Sequence, residues 1–448
     1  MKNLFIKALS LVLIAILGLS LGSCQNTSKV NKNSEYVTSL MVRKNISGNE
    51  KEWETIQALY KKMTEAVDRN RDDNPSKIKL AEIYMNEARI TGEHPYYYTA
   101  ALKMVDNIIA SPKVTTDQTY LAKAYKASVL LSLHQFAEAK KIAEEVILLN
   151  PNDAGTYGAL VDANVELGKY DEAVKMSDKM IAVRPDIRSY SRISYLREIF
   201  GEVAGAKESM VLAVQAGYPG QEQTEWARLQ LGNLYLNYGS LDTAFNCYQS
   251  SLAARPNYAF AVDGLGRVAQ RKGNFEEAEK YFKQAIQLMP ELSFVANLAM
   301  LYKENNKYPE KVTEMKATLL QMMADDEAHG HKMGLEKAHL MLNLYDEPQK
   351  ALDAAKEELA IRPENIDVNK ELACIYAALG DYTKANEHIE IAQKTKSQNP
   401  EIMFIDGLLK IKINKTAQGQ QQIAAALKAN PSLAQSNLWY AKAYASMK

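Results

Sequence analysis

The chain has 448 residues, 54 of them basic and 54 acidic, and 47% of its residues are hydrophobic. That length exceeds what one compact core organises. A formal charge of zero excludes both the basic footprint of a nucleic-acid binder and an acidic solvating tail, and three cysteines without metal-type spacing exclude a cysteine metal site.

Lys2 and Lys7 precede an apolar run from Ala8 to Leu21, fourteen residues long. A spanning helix needs ~20 residues, so the run is too short for an uncleaved anchor. A basic start, a short apolar core and small residues before a cut site describe a secretory leader. The stretch Leu21-Gly22-Ser23-Cys24 resembles the lipobox of bacterial lipoproteins. That resemblance implies residues 1–23 as signal peptide and Cys24 as the first mature residue, carrying covalent lipid. Each buried acyl CH₂ contributes ~0.8 kcal/mol, so two or three chains hold a protein on a bilayer without a spanning helix. In enteric lipoproteins a residue other than Asp after the cysteine permits export to the outer membrane, and Gln25 meets that condition. The expected address is a bacterial cell envelope, lipid-anchored, at the outer membrane. The polar stretch QNTSKVNKNSE follows Cys24, and residues 24–49 are expected to form a flexible tether.

An amphipathic stretch with Trp53, Ile56, Tyr60, Met63 and Val67 predicts an N-terminal capping helix over 50–75. From there prolines mark a beat. Pro151, Pro185 and Pro219 are 34 apart, Pro256 and Pro290 again 34, and Pro75, Pro112, Pro363, Pro400 and Pro431 continue the series. One beat is missing between Pro290 and Pro363. Between the prolines lie two amphipathic runs: Leu231, Leu234, Tyr235 and Tyr238 show the i, i+3, i+4, i+7 spacing of one helical face. Gly168, Gly239, Gly273 and Gly380 fall where the first helix ends, as a left-handed cap requires. Ala139, Ala173, Ala244, Ala278, Ala351 and Ala385 fall where two helices must approach closely. Pro95, Pro309 and Pro348 start second helices, where a missing N–H is harmless. Cys247 and Cys374 sit in helical segments far apart and read as unpaired buried thiols.

This pattern resembles the tetratricopeptide repeat, best in 259–292 through Gly266, Ala278, Phe282, Ala285 and Pro290, and in 225–258 through Leu231, Gly232, Tyr235, Ala244, Tyr248 and Pro256. Units 76–112, 188–224 and 293–331 are degenerate, with a shifted alanine at Ala206. The resemblance implies an all-α fold, a right-handed α-solenoid of about ten helix pairs over 76–431, with residues 432–448 as a C-terminal capping helix. It also implies a concave wall of first helices that binds other proteins or peptide segments.

On that wall the expected groove residues are Trp226, Asn233 and Asn237 in one unit and Phe260, Arg267 and Arg271 in the next, with Leu229, Leu236, Asp263 and Gln270 beside them. Two Asn and two Arg, each pair at i, i+4, suit a peptide carboxylate. The chemistry partly resembles the carboxylate clamp of chaperone-binding repeats, but the positions differ and the clamp lysines are absent. Three consecutive tyrosines, Tyr96 to Tyr98, point three ways on a helix, so at least one is expected at the surface. His329, His331 and His339 lie with Asp325, Asp326 and Glu327 at the junction where the beat is lost, and Glu336 and His339 share a helix face. These residues give the alternative reading, a metal- or small-ligand-binding protein. No G-x-S-x-G, P-loop, dinucleotide fingerprint or H-E-x-x-H is present, so no enzyme and no cofactor beyond the lipid are expected. The expected function is an envelope-tethered interaction scaffold in assembly, export or secretion, with envelope proteins and the membrane as partners.

Overall fold

A computed structural model describes residues 36–43, 50–433 and 445. The leader, Cys24, most of the tether and nearly all of the C-terminal segment read as a capping helix lie outside the described residues. The chain divides into two units, 1–40 and 41–448. Of the first, residues 36–40 are described, a bend at Tyr36 and Val37 followed by irregular chain. The second carries every helix, 21 among the described residues, and no strand is present among them. None of these helices is long and apolar enough to cross a membrane.

After α1 (Glu50–Arg69) the helices pair into ten hairpins. The first five are α2 (Asn74–Thr91) with α3 (His94–Ile109), α4 (Thr116–Ser132) with α5 (Phe136–Leu149), α6 (Ala154–Glu166) with α7 (Tyr170–Val183), α8 (Ile187–Ile199) with α9 (Val203–Gln215), and α10 (Glu222–Asn237) with α11 (Leu241–Ala254). The second five are α12 (Ala259–Arg271) with α13 (Phe275–Leu288), α14 (Leu292–Glu304) with α15 (Pro309–Ala328), α16 (Gly334–Asn343) with α17 (Pro348–Ile361), α18 (Ile366–Ala378) with α19 (Tyr382–Ala392), and α20 (Pro400–Lys412) with α21 (Thr416–Ala429).

Every hairpin turn contains at least one residue in the left-handed region. Six turns use glycine, and His134, Asn306, Asp346 and Asn414 fill the other four slots. The turn between α14 and α15 has a second, Tyr308, beside its Asn306. The bond from Lys169 N–H back to the Asn164 carbonyl (2.7 Å) is typical of these turns and satisfies a helix-end carbonyl. The six close-approach alanines are at most 1% exposed, and Ala206 is equally buried. Gly266 shows why the first helix needs a small residue: a Cβ there would lie 2.6 Å from the Phe282 ring.

Prolines shape the far ends. Asn150, Arg184, Arg255, Met289, Arg362 and Asn430 each cap a second helix, each precedes proline, and each has φ between −132° and −155°. A following proline disfavours helical backbone at the residue before it, so the chain leaves the helix there. Pro75 and Pro400 differ from the expected beat: both sit in the first turn of a first helix instead of closing a unit. The missing beat corresponds to α15, 20 residues long, which ends at His329 without a proline. None of the three tyrosines is fully exposed. Tyr97 and Tyr98 are core residues, and half-buried Tyr96 packs edge-on against Tyr97. Tyr97 is drawn inward by stacking on Tyr84 and by its hydroxyl accepting from Met41 N–H. Cys374 is buried and Cys247 half-buried, both unpaired.

The stack also closes on itself. The turn of hairpin n meets the connector that follows hairpin n+5. Gly92 faces Met289, Gln135 bonds the Gly330 carbonyl (2.7 Å), Gly168 faces Glu364, Gly201 faces Lys396, and Gly239 faces Pro431. One step earlier in the same register, Arg255 after hairpin five grips Glu52 of α1 through two bonds of 2.9 and 3.2 Å. Glu52 also accepts from Arg43, which clasps Glu87, giving a buried alternating chain of two carboxylates and two guanidinium groups. The extended residue before each closing proline supplies many of these contacts: Arg255, Met289, Arg362 and Asn430.

Candidate functional site

The first helices bond one another at a spacing of one repeat. Arg267 Nη2 donates to Asn233 Oδ1 (2.9 Å), Asn297 Nδ2 to Asp263 Oδ1 (2.8 Å), and Gln270 Nε2 to Glu304 Oε2 (2.9 Å), each pair 34 residues apart. Arg267 Nε also donates to Asp263 Oδ2 (2.9 Å), and the Tyr248 hydroxyl donates to Asn233 (2.8 Å). Of the expected two-Asn, two-Arg patch, Asn233 and Arg267 therefore meet, but they bond each other in a ladder that ties three hairpins together. Asn237 is exposed at the end of α10, its carbonyl accepting from Asn430 Nδ2 (2.8 Å), and Arg271 approaches Ser432 Oγ at 3.5 Å. Phe260 is half-buried between Tyr258 and Phe294, and Trp226 stands 42% exposed. Leu229, Leu236 and Asp263 are buried, so those three are core and ladder residues and not free groove positions.

The three junction histidines part company. His329 Nδ1 lies 2.8 Å from the Asp325 carbonyl of its own helix. His331 packs edge-on against the His134 ring, centroids 4.5 Å apart. His339 faces Glu371, 3.3 Å away. Among the described residues no group of three or more His, Cys, Asp and Glu side chains could hold a metal ion. The irregular junction separates the three rings because it is occupied with the contact between hairpins two and seven: His134 Nδ1 meets the Lys332 carbonyl at 2.9 Å, and Lys332 N–H bonds the Leu133 carbonyl.

The register that closes the stack encloses a cavity of about 720 Å³. Hairpins two and three line one side, through Leu131, Phe136, Asp162 and Glu166, and α14, α16 and α18 line the other. The far wall joins apolar side chains, Leu292, Ala296, Met300, Leu335 and Leu340, to Glu336, His339, Asp367, Lys370 and Glu371. Arg362 enters from its pre-proline connector and bonds Glu166 Oε2 (2.5 Å) and Glu358 Oε2 (2.7 Å). Burial nonetheless pushes the Glu166 carboxyl up to about 7, against the pull of that guanidinium. Burial lowers His134, while at His339 the Glu371 carboxylate outweighs burial and raises the ring. Burial opposes the charge on Lys370, but Glu401 and Asp367 raise it. The Oε2 atom of Glu336 and the Oε1 atom of Glu371 are buried without a hydrogen-bond partner. Glu336 and His339 do share a face of α16, a signal present in the sequence. Glu371 lies 35 residues beyond Glu336, and the opposite wall, Leu131 to Glu166, lies 170 to 205 residues before it, and no local pattern marks them.

Two family models, both described as tetratricopeptide repeat, match residues 130–197 and 223–291. Protein O-mannosyl-transferase TMTC1 of Homo sapiens is 25% identical over 190 residues, 40% of this chain and 22% of its own length. Cellulose synthase 1 operon protein C of Komagataeibacter xylinus is 26% identical over 160 residues, 34% of this chain and 12% of its own. The matches thus cover less than a quarter of each relative. Among solved structures, the APC/C hetero-tetramer Cut9-Hcn1 aligns with 84% of this chain and 59% of that chain, with TM-score 0.44 and 15% identity. PilW, a type IV pilus biogenesis factor, aligns with 45% of this chain and 92% of that chain, with TM-score 0.38 and 17% identity. Residues 130–197 and 223–291 thus match tetratricopeptide-repeat models, within an all-α solenoid whose described part contains ten helix hairpins.

Proposed function

We propose that the protein is a non-enzymatic interaction scaffold, lipid-anchored through Cys24 in a bacterial envelope, that holds a segment of a partner protein in its interior cavity. The observation that carries the binding role is the cavity itself, which has the size of a ligand pocket and mixes apolar walls with converging polar groups. The address rests on the leader: its basic start, its apolar run and the lipobox-like Leu21-Gly22-Ser23-Cys24. Envelope assembly, export and secretion are the processes such a tethered scaffold would serve.

Both halves are tested separately. Mass spectrometry of the mature N-terminus is expected to find acylated Cys24, and Cys24→Ala is expected to leave the membrane fraction; an unmodified, soluble wild-type protein overturns the address. A photo-crosslinking amino acid at Met300, on the cavity wall, is expected to capture a discrete partner in cells, while one at Leu148, 85% exposed on the outer surface, is not. Equal labelling at both positions overturns the scaffold role of the cavity.

A further inference from the structure

The cavity is asymmetric in charge once its internal pairs are counted. Arg362 is held by Glu166 and Glu358, and Lys370 lies between Asp367 (3.5 Å) and Glu401 (3.4 Å). Asp162 is neutralised by Arg192, at 2.5 and 2.8 Å. Both cations are therefore already engaged with carboxylates. Two carboxylates, Glu336 and Glu371, each keep one oxygen without a donor. Glu336 Oε1 lies 3.8 Å from the imidazole of His134, a ring that burial makes harder to protonate. Glu371 is 7% exposed and touches His339 through Oε2, while its Oε1 meets nothing. A desolvated carboxylate oxygen without a donor is unfavourable, and a cationic donor would satisfy it. Leu335, Leu340, Leu292 and Met300 border the same space and offer an apolar path for an aliphatic stem, the way lysine stems lie along apolar surfaces while the ammonium reaches a polar partner.

We propose that this cavity is a receptor for an alkylammonium group, an aliphatic stem ending in a primary amine, with Glu371 and Glu336 as the carboxylates that receive it. The inference rests on the scaffold reading only for the source of the amine, a lysine side chain of the partner segment; a free polyamine carries the same chemistry.

The test is calorimetric titration of the full chain in detergent with two probes, spermidine and an acetylated Gly-Lys repeat peptide, with a Gly-Glu peptide as control. Binding of the Gly-Lys peptide, weakening with salt, assigns the amine to a protein partner. Spermidine binding alone assigns it to a free amine. In either case Glu371→Gln is expected to weaken binding about tenfold or more, the scale of one charge-assisted hydrogen bond, with far-UV circular dichroism unchanged. Glu336→Gln is a second variant with the same expectation. Failure of both probes, equal binding of the Gly-Glu peptide, or full affinity in both variants overturns the cation site. Partner capture at Met300 that is undiminished in Glu371→Gln removes the cation site and leaves the scaffold standing. Amine binding with no captured protein removes the scaffold and leaves the cation site.

Discussion

Gly168 and Gly273 form a matched pair that isolates the contact between hairpins three and eight. Both end a first helix in the left-handed region, at φ 73° and 77°. Replacing either by alanine carries the same local strain, about 1–2 kcal/mol. Their surroundings differ. A Cβ at Gly273 has nothing within 4 Å, whereas one at Gly168 lies 2.6 Å from the Glu364 carbonyl oxygen and 2.7 Å from its Cβ. Relieving that overlap means displacing backbone that Asn365 and Ile366 pin, through bonds to the Glu166 carbonyl and the Tyr170 hydroxyl, both 2.9 Å. Overpacking of this kind costs about 1–3 kcal/mol more, which is roughly 5- to 150-fold in a local opening equilibrium. Hydrogen exchange followed by mass spectrometry reads the effect directly. Gly168→Ala is expected to accelerate exchange in both 164–170 and 362–370, and Gly273→Ala to act only around its own turn. Because long repeat arrays lose cooperativity, the local reading is preferable to one global unfolding curve. Exchange around residue 364 that is the same in both variants, within about twofold, would refute the closure of the stack.

Two further outcomes follow from buried charge. Arg255→Met leaves Glu52 with Arg43 as its remaining guanidinium and is expected to destabilise the chain by about 1.5–3 kcal/mol in urea unfolding, the scale of a lost hydrogen bond to a charged group, with much of the loss recovered in the double variant Arg255→Met/Glu52→Met; a single variant as stable as wild type contradicts the charge chain. Burial raises Glu291 from 4.5 to about 7, so it binds a proton more readily in the folded state. Its contribution to stability is full below about pH 4.5 and is lost as pH rises through about 7. Melting temperatures measured between about pH 5 and 8 are expected to fall less steeply in Glu291→Gln than in wild type; parallel curves would contradict the burial of that carboxyl.

The hairpins were legible in the sequence because each is built from neighbours: Gly168, Gly239, Gly273 and Gly380 end helices where left-handed backbone is needed, and Ala139 to Ala385 pack where helices touch. The turns not read from the sequence are those at Gly92 and Gly201, in degenerate units, and those where His134, Asn306, Asp346 and Asn414 adopt the same backbone without being glycine. Exposed-face assignments in α10 and α12 went partly astray, since Asn233 and Arg267 face a neighbouring first helix one repeat away, and a periodicity argument on a single helix does not see that neighbour. Least legible was the cavity. Phe136 and Glu166 reach Glu336 and Glu371 only because pre-proline residues such as Arg362 project onto an earlier hairpin, and nothing in a 34-residue pattern encodes a step of five units.

That step has a consequence for how the protein can change over generations. Arrays whose units touch only adjacent units gain or lose copies with little penalty. Here, excising any one hairpin between the third and the eighth would slide Glu364 away from Gly168 and shift every other seam that spans the excised unit. Lineages carrying this chain should therefore keep their copy number fixed while individual sequences drift, and a homologue one internal unit shorter would have to rebuild several seams at once.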